Sequence, residues 1–127
     1  MEHDFENALG HQSTRFHDRL KELMDEYVHH IYTITRNFPL DELYGVTSQL
    51  RRAALSVVLN YIEGFARQRD KVYRNFLEIS YASLKESRYL IDFSLREGFL
   101  KNDDNKKLID LADEIGAMLW SVTKELT

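Results

Sequence analysis

The chain has 127 residues and a formal net charge of −4, with 43% apolar and 30% charged residues. That is one domain's length with an ordinary globular composition, which excludes a second core and a disordered chain. No run approaches the roughly 18 consecutive apolar residues of a membrane helix, and the acidic start Met1-Glu2-His3-Asp4 does not read as an export signal, so a cytoplasmic protein with no membrane contact is expected.

The absence of cysteine fits a reducing compartment and excludes disulfides, thiolate catalysis, Cys-ligated zinc and iron–sulfur clusters. One proline and five glycines leave few turn-formers, so the chain is expected to be built from a few long helices. Residues 1–12 show little periodicity and read as a flexible tail, and residues 13–127 as the folded domain. From there Phe16, Leu20, Leu23, Met24, Tyr27, Val28, Ile31 and Ile34 return at steps of three and four and predict a helix, with Ser13 or Thr14 as its cap. It should end near Arg36, because Pro39 disfavours helical backbone in Phe38 and has no N–H to donate. Leu40 to Tyr44 reads as one helical turn closed by Gly45, after which Thr47 or Ser48 caps a second helix running to about Ala66. Asp70 is placed to cap a third helix, carrying Val72, Tyr73, Phe76, Leu77, Leu84, Ile91 and Leu95, which Gly98 stops. Asp103 or Asp104 opens the fourth, with Leu108, Ile109, Leu111, Ala112, Ile115, Met118, Leu119 and Val122. Four helices on short links predict an all-α, antiparallel up-and-down bundle.

The second helix has an unusual distribution of apolar residues. At about 100° per residue, Leu50, Ala54, Val57, Tyr61 and Phe65 form one stripe, which Ala53 extends, while Leu55, Val58 and Ile62 form another. A lone bundle covers one stripe per helix, so the second is expected to face another copy of the chain; the alternative is that the two neighbouring helices bury both sides. Between the stripes runs a polar line of Gln49, Arg52, Ser56, Asn60 and Glu63, which reads as a structural network if buried. Arg52 or Asn60 would then meet Ser56, and Glu63 would meet Arg67. Ser80, Ser83, Ser87 and Ser94 on the third helix would allow a neighbour to approach closely.

Charge is segregated along the chain. Residues 48–74 contain Arg51, Arg52, Arg67, Arg69, Lys71 and Arg74 against Glu63 and Asp70 alone. Four of these cations gather at the turn between helices two and three, giving one positive end. Such a patch suits salt-sensitive, sequence-independent binding to phosphate backbones, RNA or DNA; a solvated turn with ion pairs is the alternative. Tyr73 and Phe76 lie close enough in sequence to stack on bases, although their spacing equally suits a core.

Catalytic signatures are missing. Glu26 and His29 have the Glu-x-x-His spacing of di-metal bundles, but that chemistry needs a second copy of the motif and two more carboxylates. No phosphate-cradling glycine loop or nucleophile elbow occurs. We therefore expect no catalytic residues, no metal and no cofactor.

The stretch from Asn37 to Leu100 resembles a known family. Phe38-Pro39, Glu42, Gly45, the run Thr47-Ser48-Gln49-Leu50-Arg51-Arg52-Ala53-Ala54, Ser56, Asn60, Glu63-Gly64-Phe65 and Arg67 carry the likeness, with Phe76-Leu77, Ala82-Ser83-Leu84 and Glu86 further on. They resemble the bacterial four-helix proteins first noticed as reading frames within intervening sequences of 23S ribosomal RNA genes, which look related to accessory variability determinants of retroelements. The resemblance implies a cytoplasmic homopentameric ring, with structured RNA as ligand, and a reverse transcriptase as partner among the retroelement relatives. An adaptor between proteins is the alternative role.

Overall fold

The computed structural model describes residues 14–67 and 69–126; the tail over 1–12 and the cap at Ser13 lie outside them. Helix α1 spans Thr14–Thr35, α2 Val46–Arg67, α3 Asp70–Arg96 and α4 Asn102–Glu125, with a single 3-10 turn at Leu40–Glu42. Each helix packs on its neighbours in sequence, and α1 closes the ring against α4. The result is an up-and-down four-helix bundle, and no strand occurs among the described residues.

Helix ends follow from local chemistry. At the end of α1 the amides of Arg36, Asn37 and Phe38 turn back to the carbonyls of Thr33, Ile34 and Thr35. Pro39, with φ −55°, then leads into the 3-10 turn. Helix α2 begins at Val46, two residues earlier than a Thr47 cap requires and three earlier than a Ser48 cap does. Thr47 lies inside the helix, buried, and its hydroxyl has no hydrogen-bond partner among the described residues. Capping comes instead from Glu42, whose Oε1 accepts from the Val46 amide at 3.3 Å; a carboxylate there also suits the positive end of the helix dipole.

Asp70 is likewise the first helical residue rather than the cap, a position held by Arg69 with extended backbone. Asp103 and Asp104 fall in the first turn of α4 behind Lys101 and Asn102. All three acids lie in a first turn, where the helix dipole favours negative charge, and among the described residues none bonds a capping amide through its side chain. Gly98 does stop α3. Its φ of +78° sets a left-handed end in which Gly98 N–H meets Leu95 O at 3.0 Å and Phe99 N–H meets Ser94 O at 2.9 Å.

The core is apolar and continuous. Leu20, Met24, Tyr27 and Ile31 of α1 meet Leu50, Ala54, Val57 and Tyr61 of α2, Tyr73, Leu77, Leu84 and Ile91 of α3, and Leu108, Ile115 and Leu119 of α4. Phe38 packs on Phe99 at one end of the bundle, with ring centroids 5.6 Å apart. At the other end the rings of His17, Phe65 and Tyr73 pack in series, His17 tilted on Phe65 at 4.5 Å and Phe65 edge-on to Tyr73 at 6.1 Å, while His17 Nδ1 bonds the Tyr61 hydroxyl. Burial pushes the phenols of Tyr27, Tyr61 and Tyr73 well above the ordinary tyrosine range.

Candidate nucleic-acid interface

Helices α2 and α3 make the closest contact in the molecule, and small side chains are the reason. Ser80 Oγ donates to Val57 O at 2.6 Å, and the hydroxyls of Ser56 and Ser83 meet at 2.7 Å. Asn60 Nδ2 donates to Ser56 O and Oγ at 2.8 and 2.9 Å. Gly64 has no room for a side chain, since a Cβ there would stand 2.8 Å from Phe76 Cβ. Ser87 bonds Tyr27 across the core at 2.7 Å, whereas Ser94 bonds its own helix at Leu90 O.

The polar line of α2 is therefore a network only at its centre. Ser56 and Asn60 are half-buried and bonded; Gln49 and Arg52 are exposed. Glu63 pairs with Arg67 at 3.4 Å with both side chains about half exposed, a contact worth little energy in water.

The second apolar stripe divides in the same way. Val58 is buried within the single chain, because it lies on the flank of α2 that carries Arg51 toward α1, two turns away. Leu55 is half-buried. Ile62 is 43% exposed, and Leu59, which belongs to neither expected stripe, is 58% exposed. The outward apolar row is thus Leu55, Leu59 and Ile62, returning at steps of four and three, and Val58 does not belong to it.

The six cations fall in separate places. Arg51 is bound inside the fold, its Nε donating to Thr35 Oγ1 at 2.8 Å and its guanidinium 4.8 Å from the Tyr32 ring centre. Arg52 is exposed beside it. Sixteen residues of helix, about 24 Å at about 1.5 Å per residue, separate Arg51 from Arg67. Arg67, Arg69, Lys71 and Arg74 do share one end. Arg67 lies 5.6 Å above the Phe76 ring, and Arg74 pairs with Glu78 at 3.5 Å. Arg69 and Lys71 are exposed and have no ion pair among the described residues.

Tyr73 cannot stack on a base, because it is completely buried; its place between Phe65 and Leu77 in the core takes precedence. Phe76 is half-buried beneath Arg67. Glu26 pairs with Lys107 at 3.7 Å, and His29 is exposed. Among the described residues no three His, Asp or Glu side chains converge on a metal position, and no helix is long and apolar enough to cross a membrane. On the α3–α4 side exposed Trp120 and half-buried Tyr81 border the same depressions as Lys85 and Lys124, and Lys85 lies over the Tyr81 ring. Trp120 follows Leu119 by about 100° of helix rotation and so leaves the core stripe of α4, a signal that the residue pattern contains.

Residues 19–121 match the family model described as 23S rRNA-intervening sequence protein. A crystal structure from Bacteroides thetaiotaomicron VPI-5482, titled as a protein of unknown function from the S23 ribosomal protein family, is similar in fold. It superposes with a TM-score of 0.74 at 20% identity over 83% of this chain and 98% of that one. No curated protein matches the chain.

Proposed function

This chain belongs to the 23S rRNA-intervening sequence protein family, and on that premise we propose that it is a non-enzymatic, homo-oligomeric protein that binds nucleic acid, RNA above all. Binding uses the cationic end at the α2–α3 link, where Arg67, Arg69, Lys71 and Arg74 contact phosphates. The observation that carries this reading is the gathering of these cations, Arg69 and Lys71 exposed and without ion pairs among the described residues, in a protein of net charge −4. Phosphate contacts release counterions, so affinity falls steeply as salt rises. Filter binding of RNA over a salt series tests it: Arg67→Glu with Arg69→Glu should abolish most of the low-salt affinity and flatten the salt dependence. Undiminished binding by that double variant would overturn the assignment.

Self-association, with a ring of five as the family likeness suggests, is supported by the exposed row of Leu59 and Ile62 beside half-buried Leu55, a connected apolar surface that a second copy of the chain can cover. Leu59→Glu with Ile62→Glu should reduce the sedimenting mass, and a 15 kDa species from the unaltered chain rules the ring out. The same row also favours an adaptor role toward another protein, a reverse transcriptase included. A partner that stays bound after nuclease treatment selects that role over nucleic-acid binding.

A further inference from the structure

Helices α3 and α4 diverge along their outer side. Ala112, Gly116 and Ala117 present almost no side chain there, and two adjoining depressions of about 500 and 340 Å³ open between the helices. Both are bordered by Tyr81 and Trp120, so they form one groove with two aromatic rings at its middle. Trp120 is 61% exposed, an uncommon position for the largest side chain of a folded protein. Tyr81 is half-buried with Lys85 Nζ 5.2 Å from its ring centre.

The rim is cationic. Arg74, Lys85, Arg88 and Lys124 stand against Glu78 and Asp113, and these two acids engage Arg74 and Arg88 at 3.5 and 3.2 Å. The opposite flank of α4 has the reverse balance, since the depression it shares with α1 carries Glu26, Asp103, Asp110 and Glu114 against Lys106 and Lys107. One helix therefore divides an acidic protein into an acidic groove without aromatic residues and a cationic groove with two. Aromatic faces stack on bases of any sequence, and cations beside them hold the linking phosphates.

We propose that the α3–α4 groove is a binding site for single-stranded nucleic acid, in which unpaired bases stack on Trp120 and Tyr81 while Lys85, Lys124, Arg74 and Arg88 contact the backbone. The proposal rests on the nucleic-acid reading above and narrows it to strands with unstacked bases. Arg74 belongs to both surfaces and joins the groove to the cationic end.

Trp120 is the chain's one tryptophan, so its emission reports on this groove alone. Titration with a twelve-nucleotide oligo(U) RNA and an oligo(dT) DNA at low salt should quench it saturably, while a twelve-pair duplex should not; the two single-stranded arms show whether the ribose hydroxyl matters. In filter binding Trp120→Ala should lose about tenfold or more in affinity, Trp120→Phe should recover most of it, and both should keep the unaltered chain's helical circular dichroism. If oligo(U) binds with unchanged emission and Trp120→Ala binds as well as the parent, the groove is not the site and the cationic end alone remains. If no oligonucleotide binds, both proposals fall. If Trp120→Ala lowers the sedimenting mass, the groove is a contact between subunits and the site assignment is overturned.

Discussion

Gly64→Ala tests the α2–α3 packing most directly, because two large effects oppose each other there. Alanine improves helix propensity by about 1 kcal/mol in a helix interior. A new Cβ, however, would stand 2.8 Å from Phe76 Cβ, 3.0 Å from Tyr73 Cδ1 and 3.3 Å from Tyr73 O. Comfortable carbon contacts lie at about 3.5 to 4.0 Å, and two of these three atoms belong to the backbone or are anchored directly to it. The helices must therefore separate by roughly 1 Å near Gly64, at an overpacking cost of about 1–3 kcal/mol. Separation also stretches the Ser80 to Val57 bond, now 2.6 Å, and losing it adds about 1 kcal/mol. After the propensity gain the net destabilisation is about 2 kcal/mol, or about 6–10 °C in melting temperature for a domain of this size. Urea unfolding followed by far-ultraviolet circular dichroism at fixed protein concentration measures it. Gly116→Ala supplies the contrast: its Cβ would meet the end of a flexible side chain, Leu84 Cδ2, at 3.4 Å, so the variant should gain about 0.5–1 kcal/mol from propensity. A Gly64→Ala protein as stable as the parent would refute the close-packing argument.

Tyr27→Phe should cost about 1 kcal/mol in urea unfolding, because it removes the buried 2.7 Å bond to Ser87 while Ser87 keeps Leu84 O as acceptor. Stability should fall in alkali. The phenols of Tyr27, Tyr61 and Tyr73 are raised mainly by desolvation, so above pH 10 the unfolded chain releases protons that the folded chain retains. Their contribution is complete below about pH 9 and declines above 10 by up to about 1.4 kcal/mol per pH unit for each ring; a urea midpoint that stays level from pH 8 to 11 would contradict it. Arg51→Ala should destabilise by about 1 kcal/mol through the lost Thr35 bond and Tyr32 contact. The same variant should leave RNA affinity at the opposite end unchanged in filter binding.

The helices and their limits were legible because the chain has strong periodicity and a few decisive residues. Pro39 and Gly98 marked ends that backbone geometry alone dictates. The caps were less legible: Thr47 and Asp70 have the right chemistry, but Glu42 reaches forward from the 3-10 turn to the Val46 amide, and no local pattern reveals that reach. A helical wheel directs Val58 outward, because it gives directions without saying how far a neighbouring helix wraps around. Closeness in sequence groups the cations, yet a 22-residue helix separates its ends, so Arg51 stands apart from Arg67. Periodicity does not pair Trp120 with Tyr81, because they come together only when α4 packs on α3.

The serine contacts between α2 and α3 also decide how the two helices slide. An interface of leucines alone fits nearly as well after one helix shifts by a turn, about 5.4 Å along its axis, because one aliphatic side chain replaces another. Here such a shift would take Ser80 from Val57 O and Ser56 from Ser83 together, leaving the fully buried Ser80 hydroxyl without its partner across the interface. The hairpin therefore has one admissible offset, and misaligned collapsed forms of the chain are disfavoured before the other two helices have docked.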